Sequence, residues 1–119
     1  GDNVDAGFLA VRAGLPAGVD ALVCYNDQCA HGAILALLGD GLVPGRDMLV
    51  VGCDNSAIAS SRALSLTSID RAPSRVASLA VDQAIARALS DGGSPARQRV
   101  DTELVVRAST GQPRGTNCP

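Results

Sequence analysis

Tryptophan and lysine are missing from this 119-residue sequence, and Phe8 and Tyr25 are its only aromatic residues. A core with so few rings has to be packed from Ala, Val, Leu and Ile, and the chain is long enough to bury one. All ten basic residues are arginine, against twelve acids, for a net charge of −2. That balance argues against this stretch itself being a nucleic-acid surface. The choice of arginine throughout reads as base-composition bias. No apolar run approaches a membrane span, and no secretory signal is present. Among Cys24, Cys29, Cys53 and Cys118 no pair has the two-residue gap of a zinc knuckle, so no metal site is expected. Cys24 and Cys53 sit in apolar runs, where a thiol behaves as a small hydrophobe, and reduced structural thiols suit a cytoplasmic protein.

The same absences bear on catalysis. Phosphoaspartate chemistry at Asp27 or Asp54 would have no lysine partner, and Asn55, not a second acid, follows Asp54. His31 is the one histidine, and no Ser or Cys nucleophile has an evident pairing with it. No catalytic residue is assigned, no cofactor is expected, and the chain is read as a non-enzyme.

What is present centres on residues 21–32, ALVCYNDQCAHG. An apolar run stops at Asn26 and Asp27, and a segment with helical spacing begins at once. That is a strand feeding a helix through almost no loop. In a parallel α/β sheet such a strand end opens onto the crevice where ligands bind, beside the unpaired N–H groups of a helix start. The pattern recurs at residues 48–53, whose apolar run ends in Asp54, Asn55 and Ser56. Two strands therefore bring short polar side chains to one sheet edge.

The remaining segments follow from spacing and turn chemistry. Residues 3–14 read as a helix with Asn3 as cap and Asp5 in the first turn. A second helix runs from 26 to about 40 and stops at Gly41, with Cys29, Ala30, Ala33, Ile34, Leu37 and Leu38 as its buried stripe. No charged side chain lies between Asp27 and Asp40, which favours burial of this helix by a partner. Asp27 is expected to cap it, and Asn55 to cap the loop after residues 48–53. A short helix is expected around 58–62, a strand at 66–69 and a helix at 73–90 opened by Pro73. Residues 100–107 alternate, predicting a strand that buries Val100, Thr102, Leu104 and Val106. Residues 111–119 read as a disordered tail. The order helix, strand, helix, strand, strand, helix, strand is that of an α/β protein.

Five strings in order carry a family likeness: NDQCAHG, GLVPG, VVGCDNS, LTSID and VVRAST. With these strings, residues 3–110 resemble the effector-binding domain of the lactose/galactose repressor family of bacterial transcription regulators. The resemblance implies a parallel-sheet, three-layer subdomain of a periplasmic-binding-protein-like type I fold, incomplete at its amino-terminal side. Residues 1–69 and 98–110 would form part of the carboxy-terminal subdomain. The helix at 73–90 would belong with the other subdomain, linked by crossover segments at 70–72 and near Pro95, and the DNA-binding headpiece would lie outside this chain.

The resemblance also implies residue roles. Asn26 and Asp54 match positions that hydrogen-bond the effector. Asp2 falls where many members present an aromatic ring, and Cys53 where a ring is common, so an acid and a thiol would line the cleft instead. His31, Leu35, Phe8 and Val11 match the family's dimer interface. The implied partners are a sugar-like effector, a second copy of the chain, and operator DNA through the headpiece, with no membrane. The alternative function is a periplasmic-type sugar-binding protein for transport.

Overall fold

The computed structural model describes residues 2–89 and 97–111. Its elements run α1 (Val4–Arg12), β1 (Ala21–Val23), α2 (Asp27–Gly39), β2 (Leu49–Cys53), β3 (Thr67–Asp70), α3 (Pro73–Leu89) and β4 (Glu103–Val105), closed by a 3-10 turn at Ala108–Thr110. The order matches the expectation. The four strands form one sheet, ordered β1-β2-β3-β4. β1, β2 and β3 are mutually parallel, and β4 runs antiparallel to β3.

Each helix start has a local chemical reason. Asn3 Oδ1 accepts from the Ala6 N–H at 2.9 Å, capping α1 as expected, with Asp5 in the first turn. At α2 the cap is Asn26, whose Oδ1 accepts from the Cys29 N–H at 2.8 Å. Asp27, expected to cap, turns inward instead and is buried. One residue's difference along the helix decides which of two adjacent polar groups faces the free N–H groups.

Burial also explains the scarcity of charge in α2. Val50 and Gly52 of β2 lie beneath it, and α1 lies alongside. The two helices approach backbone to backbone: a Cβ on Gly7 would sit 2.0 Å from the Cys29 carbonyl oxygen, and one on Gly32 1.8 Å from that of Val4. The core gathers Val11 with Ala30, Ala33, Ile34 and Leu37 of α2, Met48, Val50, Ala59 and Leu66. Leu38, expected in the buried stripe, is exposed. At their far ends Arg12 and Asp40 form an ion pair joining α1 to the end of α2.

Three local expectations change. Residues 58–62 form successive turns, without a helix. The last strand is only three residues long. In and beside it Thr102, Leu104 and Val106, expected inside, are exposed, while Val105 and Arg107 are half-buried. Arg107 is drawn in by its hydrogen bonds to the Leu66 carbonyl and Asn55 Oδ1, which a pattern of apolar residues does not register. α3 buries none of its seventeen residues. Pro95, Cys118 and the tail at 112–119 lie outside the described residues.

Candidate functional site

β1 and β2 are parallel neighbours, paired from Ala21↔Leu49 to Val23↔Val51, so both end at one edge of the sheet. The pairing reaches one residue further, where the Cys24 N–H donates to the Val51 carbonyl at 2.8 Å. Burial, and then the neighbouring Cys29, push the Cys24 thiol up to about 11, which keeps it protonated at neutral pH. Asn26 and Asp54 each stand just past these strand ends. Besides capping α2, Asn26 donates from Nδ2 to the backbone carbonyl of Asp2 at 2.7 Å. The structure thus brings Asp2 to Asn26 through its main chain. Cys53 closes β2 half-buried, opposite Ile69 in the register.

Asp54 and Asn55 take backbone angles that side chains rarely adopt, with φ of 106° and 45°. Each such residue costs about 1–3 kcal/mol and persists only where its surroundings fix it. The surroundings here are a polar lattice. The Asp54 N–H donates to the Ile69 carbonyl at 2.9 Å, and the Asn55 N–H to Ser68 Oγ at 2.9 Å. Ser68 Oγ in turn donates to Asp27 Oδ1 at 2.6 Å. Asp27 Oδ2 accepts from the Ser56 N–H at 2.7 Å and from Ser56 Oγ at 2.8 Å. The inward turn of Asp27 therefore ties α2, β3 and the 54–56 loop together. Gly52 makes room for it, since a Cβ there would lie 2.3 Å from Asp27 Oδ1.

A second cluster braces the other side of the loop. Asn55 donates to Asp70 Oδ2 at 3.0 Å, and Arg107 donates to Asn55 Oδ1 at 2.6 Å and to the Leu66 carbonyl at 2.7 Å. Asn55 thus bridges three segments, where a loop cap was expected. The amide of Asn55 and then the Ala72 N–H lower the Asp70 pKa. Arg107 sits in the VVRAST string, but its link to Asn55 spans the sheet and has no signal in the sequence.

Beyond this lattice lies an open cavity of about 590 Å³, lined by Asp54, Arg71, Pro73, Val76 and Ala77. Its size falls within the range of small-molecule sites. Asp54 and Arg71 form an ion pair across it. Of the four expected ligand residues, Asp54 lines this cavity, whereas Asn26, Asp2 and Cys53 are not among its lining residues. Arg71 was not foreseen. The clue was the register: Cys53 pairs with Ile69, so the residues after each strand emerge together.

The expected interface residues separate. Phe8 and Leu35 are 38% and 44% exposed, and His31 is half-buried. Val11, at 8%, belongs to the core and leaves the interface set, because its side of α1 faces Leu37 and Ala33 across the helix contact. Among the described residues no group of three His, Cys, Asp or Glu could hold a metal ion, and no helix is long and apolar enough to cross a membrane.

Residues 3–110 match the profile of a periplasmic binding protein-like domain. The chain belongs to that family. A curated relative, an HTH-type transcriptional regulator from Streptomyces limosus, is 31% identical over 110 residues, which are 92% of this chain and 31% of the relative. A LacI-type transcription regulator from Bifidobacterium animalis subsp. lactis superposes with a TM-score of 0.79 at 33% identity, over 93% of this chain and 40% of the other. The Lac repressor bound to ONPG superposes at 0.73 with 27% identity, over 92% and 34%. This periplasmic binding protein-like chain is thus similar over nearly its whole length to parts of LacI-type regulators, and spans about a third of its curated relative. The named relatives are regulators, not enzymes.

Proposed function

We propose that this chain is the effector-sensing and dimerisation region of a cytoplasmic, ligand-responsive bacterial transcription regulator. In this reading the cavity at Asp54 is part of the cleft for a sugar or similar small polar metabolite. The observation that carries the proposal is the placement of Asp54. A strained, fully braced turn holds its carboxylate at the edge of a parallel sheet, on a cavity of ligand size. Asn26 and Asp2 stand at the end of the neighbouring strand, and Cys53 ends the strand before Asp54. Short Asn and Asp side chains on rigid strand ends read hydroxyl patterns with little loss of side-chain freedom.

Ligand binding would favour one closure state of two subdomains, and operator affinity would change by the difference in affinity for the two states. Phe8, Leu35 and His31 are the proposed dimer contacts. A two-fold symmetric protein suits paired operator half-sites, read by a headpiece outside this chain. The transport-protein alternative gains no support from the named relatives. The deciding experiment is operator binding by the full-length protein with and without candidate sugars. A sugar-dependent change in operator affinity supports the proposal, and an affinity that no sugar alters refutes the sugar-sensing switch.

A further inference from the structure

The spacing of a zinc knuckle is absent from this sequence, yet the fold brings two of its cysteines onto one cavity. We propose that Cys24 and Cys29 form a two-sulfur site for a soft monovalent cation of the copper(I) type, separate from the cavity at Asp54.

The two residues stand on either side of one turn of the chain. β1 continues as far as Cys24, whose N–H is held by the Val51 carbonyl at 2.8 Å. The chain then turns at Asn26 into α2, and Cys29 follows in the first turn, its N–H held by Asn26 Oδ1 at 2.8 Å. Both backbones are therefore anchored. Cys24 and Cys29 line a cavity of about 310 Å³, walled also by Gly7 and Ala10 of α1, Leu15 and Leu22. It shares no lining residue with the cavity at Asp54. Cys29 is buried, Cys24 is half-buried, and neither sulfur is in a disulfide.

The donor set selects the ion by elimination. Structural zinc takes four ligands, and catalytic zinc takes three from the protein. Among the described residues no third His, Cys, Asp or Glu joins the pair. Calcium and magnesium require a shell of oxygens. The cavity offers no carboxylate, and apart from Tyr25 and the two cysteines its lining side chains carry no polar atom. Copper(I) is soft, prefers sulfur, and is satisfied by two thiolates in line. Its binding here is an exchange: two S–H protons leave to solvent, two S–Cu bonds form, and copper stays in the +1 state. The resulting centre carries a single negative charge. That charge falls at the amino-terminal end of α2, where the helix dipole favours an anion.

The test uses the full-length protein, reduced and free of oxygen, titrated against copper(I) held by the chromogenic chelator bicinchoninate. Cys24→Ala and Cys29→Ala are each expected to withdraw one equivalent per chain less than wild type. The double variant should lose no more than either single one, because both sulfurs hold the same ion. Cys53→Ala, outside the pair, should match wild type. Zinc uptake should be the same for wild type and all the variants. If an alanine variant melts well below wild type, the near-isosteric Cys24→Ser or Cys29→Ser replaces it, with the same expected loss. Equal copper uptake by wild type and either single variant would overturn the site, as would a wild type that takes none from the chelator. Loss of a zinc equivalent together with the copper one would overturn the two-sulfur assignment. Sugar-dependent operator binding stands or falls independently of all these outcomes.

Discussion

Asp70 is a carboxylate whose two oxygens are both employed, one by Asn55 and one by the Ala72 N–H. These bonds stabilise its ionised form and depress its pKa below the ordinary 3.8. A depressed folded-state pKa means that the unfolded chain takes up the proton first as pH falls. The contribution of Asp70 is therefore fully present above about pH 4 and is lost as pH drops through the folded value. Thermal melts of wild type and Asp70→Asn between pH 7 and pH 2 should show a gap that is constant near neutrality and closes on the acid side. A gap that widens with acid would contradict the assignment. This residue also shows what the sequence could not reveal. The strand ending in LTSID was legible from its apolar residues, but the partner of its last carboxylate stands fifteen positions earlier, across a parallel pairing. Asp27 teaches the same lesson. Two polar residues at a helix start are interchangeable as caps on paper, and the hollow left by Gly52 that accommodates the second, turned inward, comes from a distant strand.

At the level of elements, the contact between α1 and α2 rests on absent side chains. Gly32→Ala would place a methyl group 1.8 Å from the Val4 carbonyl oxygen and 2.7 Å from the Phe8 nitrogen, both backbone atoms that move only with the whole helix. The expected cost is about 1–3 kcal/mol, read as a lower urea midpoint with an unchanged slope. Gly39→Ala, with nothing within 4 Å of the added methyl, is the matched control and should be neutral or nearly so. The helices themselves were readable from the Asn3 cap, apolar spacing and the Pro73 start, and the central strands from unbroken apolar runs. Their contact was not, because glycine inside a helix carries no hydrophobic signal. The charge-poor run of α2 was consequently read as a surface for a partner, although α1 and the sheet cover most of it.

Across the whole molecule, the described residues divide into a packed body and one helix outside it. The chain extends 61 × 43 × 27 Å, and α3 contributes nothing buried to the core. Isolated helices of about this length are marginal in water, because packing usually supplies most of their stability. Hydrogen exchange on the 119-residue chain should therefore show α3 amides exchanging far faster than those of α2 and β2. Equal protection would mean that α3 packs in solution. The family likeness had placed this helix with another subdomain, and its exposed Val76, Val81 and Ile85 agree with a surface that its own body does not cover. The sheet-edge location of the candidate site was legible too, since two strands end in short polar residues. Arg71, the other charged residue on that cavity, was hidden because its placement depends on register.

The stitching by Arg107 and Ser109 sets an order of events during synthesis. Ser109 Oγ donates to the Val50 carbonyl at 2.6 Å across 59 positions, and Arg107 reaches Asn55 across 52. A nascent chain halted on the ribosome before these residues emerge can already form its first helix pair, yet the strained corner beyond Cys53 still lacks a fastener. Bracing of the corner that carries Asp54 would then arrive late and abruptly as the chain is made, with Arg107 and Ser109 acting as the clasp.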